Sequence, residues 1–485
     1  MSTDGRRARE GERRRSSARH RRGRAFTASF VIVLGVLAAI GLGGAALTTV
    51  QGPRVTATEF DPAAAVTASG SRLLFTTTQS LAEVDPSQVS VSPAADFTVD
   101  TSGRTVGLRF SLPLWDDTTY TVRIAGVAGL GGGPPATIED SFTTPALQVY
   151  LLERSDAGDT IFRSDLAGDA AVPVFRHDHI EDFRATASHL VVSTVDADGQ
   201  SHLIVTDLDG AGQRELPLPG TGSVTDLQSA DRGNLIGYTF TDADIGADVG
   251  RESALFTASL SASQAQTPPT PIERTGGDSR VDDWRFVPGT DTILMLTFDG
   301  ALTLVSAPDA SGRTADPVAL GNAVAIDSIA RGSTVAIVER ADGPLAIDLA
   351  TAEEKEVAPT DPGLGQASSV LALADGSTLR LLTRLDADGV TVEQTSVAVV
   401  DAAGTGARSV FTVPPDDALL QACISPSGRY AALLVAPNVV DNPYDGYLLP
   451  LPQRLQTHVV SLADGKEVVA LRGFDISWCQ GAPRG

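Results

Sequence analysis

An all-β chain of two folded parts behind a single membrane-spanning helix is the architecture this sequence predicts, and three observations predict it. Charged side chains disappear between Ala25 and Pro53, over a long apolar run. Residues 54–146 alternate apolar and polar side chains, with turn formers between strand-length runs. Residues 147–485 repeat a turn followed by an apolar strand at intervals of about 42 to 57 residues. A chain of 485 residues exceeds what one small core serves, and its 42% apolar and 20% charged composition excludes wholesale disorder. Two cysteines exclude a disulfide-rich scaffold and a thiolate zinc cage.

The net charge of −23 conceals two opposed blocks. Ten basic residues against three acids fall in the first 24 positions, so the remainder carries 27 basic and 57 acidic residues. That excess repels phosphate backbones, and nucleic acid is not an expected partner. Residues 1–24 are read as an Arg-rich cytoplasmic tail. Residues 25–53, with FVIVLGVLAAIGLGGAALTTV inside them, are read as an uncleaved signal anchor, since about 20 apolar residues cover a bilayer as a helix and flanking arginines stay on the cytoplasmic side. The expected location is therefore the cell membrane, single-pass, with the bulk of the chain extracytoplasmic and the lipid bilayer as a partner. A cleaved signal peptide competes with the anchor, but no small-x-small site follows the run.

Within residues 54–146, SRLLFTTTQSL, QVSVSPAADFTV, TVGLRFS, TYTVRIAGV and IEDSFTT are strand-length runs separated by Asp85-Pro86, Ser102-Gly103 and the Gly131–Pro135 loop, a spacing that suits a small β-sandwich. The words LLFTTTQSLAEVDPSQVSV, TVGLRFSLPLWDDTTYTVRIAGV and SFTTP resemble the bacterial Ig-like domains of surface-layer and exported proteins. That resemblance implies a spacer or adhesion module and no chemistry. Tyr120 is expected to bury its ring and bond its hydroxyl locally.

The repeat in residues 147–485 reads TASHLVVSTV, DRGNLIGYTF, PGTDTILMLTF, ARGSTVAIVE, ADGSTLRLLT and PSGRYAALLV, each followed by a second strand and a shorter polar-edged third. With one strand ahead of each turn, a unit has four strands, the size of a propeller blade. QVYLLER, DTIFRSDL and AAVPVFRHD form a blade lacking its first strand, and the last residues, FDISWCQGAPRG, supply one. The expectation is a seven-bladed β-propeller closed by the C-terminal strand. SPSGRYAALLV with THVVSLADGKEVV resembles the TolB-type and related WD-repeat-like propellers of exported bacterial proteins. Relatives of that kind mainly hold other proteins, and some precede a serine peptidase; no GxSxG elbow is present here.

Candidate site residues are few. Cys423 and Cys479 lie in the first strands of the last whole blade and of the closing blade, where a ring-closing disulfide and a pair of buried free thiols both remain open. Motif alignment places them one position out of register, which turns them to opposite faces of ideal strands. His177, Asp178, His179, Glu181 and Asp182 are the densest potential ligand cluster and read as a solvated connector. The DxDG sequences at Asp196 and Asp386 read as hairpin turns, and Asp242, Asp244 and Asp248 as an acidic loop. No catalytic, metal or cofactor residue is assigned. The insertion Asn438 to Leu455 carries Tyr444, Tyr447, Leu448, Leu449 and Leu451, apolar groups that solvated loops avoid; it either folds onto its own domain or binds a partner. The leading reading is a non-catalytic, membrane-anchored scaffold that binds a protein or a cell-envelope polymer. The alternative is a cell-envelope enzyme acting on a glycan or peptide through carboxylates at the channel mouth.

Overall fold

Strands carry nearly all the regular structure in the computed structural model, which describes residues 31–38, 52–168, 171–231, 235–246, 249–274, 276–306 and 315–483. The chain forms two compact units: Met1–Phe60, Arg72–Arg109 and Thr121–Ser141 make the first, and Asp61–Ser71, Phe110–Tyr120 and Phe142–Gly485 the second.

The expected single-pass anchor is not supported. Among the described residues, no helix is long and apolar enough to cross a membrane. The described helical residues in that region are 31–38. An uninterrupted apolar composition gave the expectation, but a span also needs helical length. The Arg-rich tail, and the remainder of the 25–53 run apart from its last two residues, lie outside the described residues.

Residues 55–143 form two sheets. One runs in the order Val55–Glu59, Arg72–Thr77, Thr105–Phe110, Phe97–Ser102, and the other Val89–Ser92, Thr119–Val127, Ala136–Thr143. Each buries alternate side chains, such as Leu73 and Phe75 in one and Val122 and Ile124 in the other. That period of two follows from the pleat and leaves one face of each sheet to pack. Tyr120 is buried, and its hydroxyl accepts from the Trp115 N–H at 3.0 Å.

From Gln148 onward the second unit is a succession of antiparallel meanders. One three-stranded sheet (Gln148–Glu153, Asp159–Asp165, Val172–His177) precedes six four-stranded sheets, whose first strands are Ile180–Ala185, Gly222–Ser229, Val281–Phe286, Ala325–Ile329, Gln366–Ala372 and Ala418–Ile424. Successive first strands touch one another for most of the series. Second strands are the most buried, as in Tyr430–Ala436, whereas the outer strand Glu353–Glu356 is wholly exposed. A strand covered on both faces reads as a continuous apolar run, which is why these second strands stand out in the sequence. This is the arrangement of a β-propeller.

The C-terminal residues return to the first sheet. Leu152 and Phe474 exchange backbone hydrogen bonds of 2.9 Å, and Ser477 N–H donates to Tyr150 O at 2.9 Å. The Ser477 hydroxyl accepts from Tyr150 N–H at 3.1 Å. Cys479 is disulfide-bonded to Cys423 of the last four-stranded sheet, with their Cα atoms 5.4 Å apart. The register objection falls away because Cys479 lies just beyond a turn, its N–H donating to Ile476 O, and is not on a strand. Strand alternation therefore does not set its direction.

Replacing both cysteines with serine should destabilise the chain by about 4 kcal/mol on the loop-closure account, given their separation of 56 residues. The shift of the urea midpoint under non-reducing conditions measures it, and a reductant should move the parent to the variant's value.

Candidate functional site

Every four-stranded sheet bends its first strand at the same place. The pairing of first with second strand slips between Ile180 and Asp182, Thr225 and Gln228, Val281 and Asp283, Ile326 and Ser328, Ala367 and Ser369, and Leu419 and Gln421. A bulge re-aims side chains, and acids cluster at these slips: Asp182, Asp226, Asp283 and Asp327, with Asp475 at the matching point of the closing segment. Asp226 and Asp475 take left-handed backbone conformations, with φ of 48° and 53°, which Asp tolerates better than most residues.

Two residues after the acid, a long polar side chain stitches one sheet to the next. Arg184 Nε donates to Leu227 O at 2.6 Å, and Gln228 Nε2 donates to Trp284 O at 2.6 Å, the equivalent carbonyl one sheet further on. The Asp283 carboxylate accepts from Trp284 N–H and pairs with Arg285. The role then passes to shorter groups: Ser328 Oγ donates to Val370 O at 3.2 Å, and Asp327 Oδ2 accepts from Val370 N–H at 3.2 Å. At the point of closure Arg184, almost fully buried, meets Asp182 at 2.8 Å and both oxygens of Asp475 at 2.8 and 2.9 Å. Burial pushes the Asp182 carboxyl well above its ordinary range, and the Asp475 carboxylate adds to this against the pull of Arg184. This girdle lies outside the candidate residues that the sequence singles out. Its signal is the repeated triplet Asp182-Phe183-Arg184, Asp226-Leu227-Gln228 and Asp283-Trp284-Arg285.

The insertion packs part of its length onto its own domain. Tyr447 donates its hydroxyl to both oxygens of buried Asp159, at 2.9 and 2.8 Å, and stacks between the His179 ring and the Arg154 guanidinium. Arg154 pairs with Asp445 at 2.8 Å and donates to Leu449 O at 3.2 Å, while Glu181 accepts from the N–H groups of Leu448 and Leu449. Leu451 is buried in the core, and Leu449 is half-buried. Tyr444, Leu448 and Val440 point outward, at 51%, 49% and 89% exposure. His179 Nε2 lies 2.6 Å from Glu181 Oε1, and His177 Nδ1 lies 3.1 Å from the His179 carbonyl, while Asp182 is turned to Arg184. Among the described residues, no group of three or more such side chains is arranged to hold a metal. Asp242 is bound by Arg251, and Asp248 lies outside the described residues. Asp196 and Asp386 accept from Gly199 and Gly389 N–H in tight hairpin turns.

Exposed apolar side chains favour one end of these sheets. In a four-stranded meander, the turn between second and third strands lies at the same end as the connector to the next sheet. Among the described residues, that end holds ten: Ile245 and Val249, Phe298, Val324, Leu385, Val390 and Val392, and Val440, Tyr444 and Leu448. The opposite end of these sheets holds Val172, Val318 and Val468.

No family model matches the chain, and no curated protein matches it. Solved structures similar to it include the dihydro-heme d1 dehydrogenase NirN (14% identity, TM-score 0.41, 68% of this chain and 74% of that one) and a protein from Agrobacterium tumefaciens assigned as TolB (11%, 0.33, 70% and 90%). The β-propeller domain of Cps50 (Swd1) from Myceliophteria thermophila is a third (12%, 0.37, 60% and 89%).

Replacing Arg184 with Met should cost about 3 to 5 kcal/mol in urea unfolding, because the Asp475 carboxylate loses its counter-charge in a buried place. Asp182→Asn should cost much less, since burial already favours the uncharged form there.

Proposed function

We propose that residues 147–485 are a seven-bladed β-propeller that docks a protein partner on the end carrying the second-to-third-strand turns, and that the chain performs no catalysis of its own. Residues 54–146 serve as an Ig-like β-sandwich spacer in this reading. The observation that carries it is the asymmetry of exposed apolar groups between the two ends. A single exposed valine is ordinary, but aliphatic and aromatic groups from four sheets and one connector gathered at one end resemble a contact surface. Tyr444 and Leu448 stand on a segment already fixed by Arg154, Glu181 and Asp159, so binding through them costs little ordering entropy. The alternative, acid and base work on a glycan or peptide, has Asp283 and Asp327 in its favour. Asp283 pairs with Arg285 and accepts from the Trp284 N–H, which would make it the ionised member of such a pair.

A photo-cross-linking side chain at Tyr444 or Leu448 in intact cells should capture one common protein, whereas the same group at Val172 or Val468 should not. Equal capture at both ends, or none at the first, ends the reading. Val440→Ser, Tyr444→Ser and Leu448→Ser together should abolish that capture while leaving stability within about 1 kcal/mol. Tyr447→Phe should instead cost about 1 to 3 kcal/mol in urea unfolding, by leaving part of the buried Asp159 carboxylate unbonded.

A further inference from the structure

A cavity of about 330 Å³ lies among the first strands, towards their ends at the first-to-second-strand turns. That is the end opposite the apolar turns. Its walls combine apolar groups (Leu371, Leu420, Ala422) with polar ones (Ser369, Gln421, Gln480), a mixture and size that suit a small ligand. Four charged side chains also line it: Asp283, Arg285, Asp327 and Arg331.

Three of these four are already engaged. Arg285 pairs with Asp283 and donates to Trp284 O at 2.7 Å. Arg331 donates to Asp231 at 3.2 Å and to Trp478 O at 3.1 Å. Asp327 differs. Its Oδ2 accepts from Val370 N–H, and among the described residues Oδ1 has no hydrogen-bond partner and no salt bridge reaches the carboxylate. Burial raises this carboxyl to about 6, the Glu339 and Asp283 carboxylates add to the rise, and the Val370 N–H and the Arg285 guanidinium oppose it. The ionised group therefore sits where negative charge is under-compensated, and the complement of such a place is a positive charge that also donates hydrogen bonds.

We propose that this cavity binds a small organic cation, with an alkylammonium group on Asp327 and its methylene chain against Leu371, Leu420 and Ala422. An ammonium group supplies the donors and charge that Oδ1 lacks, and the polar wall of Ser369, Gln421 and Gln480 receives the far end of the ligand. The site stands apart from the docking end, so neither proposal depends on the other.

Calorimetric titration of the full chain with 1,4-diaminobutane tests this, with 1,4-butanediol as the uncharged analogue of the same length. The diamine should bind saturably at pH 7.5, and the diol should not. Asp327→Asn keeps an acceptor for the Val370 N–H and should fold as the parent does, but it should bind the diamine at least tenfold more weakly. At pH 5, with the carboxyl protonated about nine times in ten for a value near 6, the parent should weaken about tenfold. If the variant does not fold, titration of the parent at pH 6 in two buffers of different ionisation enthalpy takes its place. Binding to Asp327 releases a proton there, so the measured heat should follow the buffer. No saturable binding to the parent at millimolar diamine, equal binding by the diol, undiminished binding by Asp327→Asn, or a heat independent of buffer would each overturn the proposal.

Discussion

Ring closure by backbone hydrogen bonds between Leu152 and Phe474 ties together the first and last parts of the second unit, and much else depends on it. Two further links, from Ser477 to Tyr150 and from Cys479 to Cys423, hold the same short segment on both sides. A succession of sheets that failed to close would leave an edge at each end, with unpaired N–H and C=O groups open to other chains. Closure also brings Asp475 to Arg184, since the returning segment lies beside the first four-stranded sheet. Without it, Arg184 would be a nearly buried cation facing one carboxylate whose own ionisation is opposed by burial. The buried charges are therefore tolerable only in the closed ring.

The girdle around the first strands solves a problem that sheet pairing creates. A first strand pairs with its own second strand on one side, and its other edge faces the channel, where main-chain groups lack a ladder partner. Bulges turn polar side chains to meet such groups: Arg184 takes the Leu227 carbonyl, Gln228 the Trp284 carbonyl, and Ser328 the Val370 carbonyl. Three different residue types perform one task, because the acceptor sits at an equivalent place while the reach required changes from sheet to sheet.

This mixture of types explains what the sequence disclosed and what it withheld. Second strands such as Tyr430–Ala436 are covered on both faces, so their identity is nearly forced to be apolar and their repeat is visible by eye. First strands need only one polar group of sufficient reach near the bulge, so Arg, Gln and Ser alternate and the pattern blurs. Cys479 was misplaced because its alignment assumed a strand where the chain turns. The insertion was noticed through its unusual apolar content, yet composition could not divide it. Tyr447 and Leu451 face inward because Asp159 and the core lie beneath them, while Tyr444 and Leu448 alternate outward from the same backbone. The apolar run after Ala25 suggested a span by its hydropathy alone, whereas no helix among the described residues is long and apolar enough to cross a membrane.

The two ends of the channel differ in chemistry for a reason rooted in connectivity. First-to-second-strand turns are short, as at Ser425–Tyr430 and Ala330–Val335, and the closing segment crosses near them, so Arg331 can reach both Asp231 and the Trp478 carbonyl. Short turns and a crossing segment leave a small, polar, charge-lined space. Second-to-third-strand turns are free of that segment and vary in length, up to the insertion before Gln456, so apolar groups can accumulate there without disturbing closure. The girdle between the two ends keeps the first strands in place, so a change in the exposed turns need not travel to Asp327, nor a protonation at Asp327 to Tyr444.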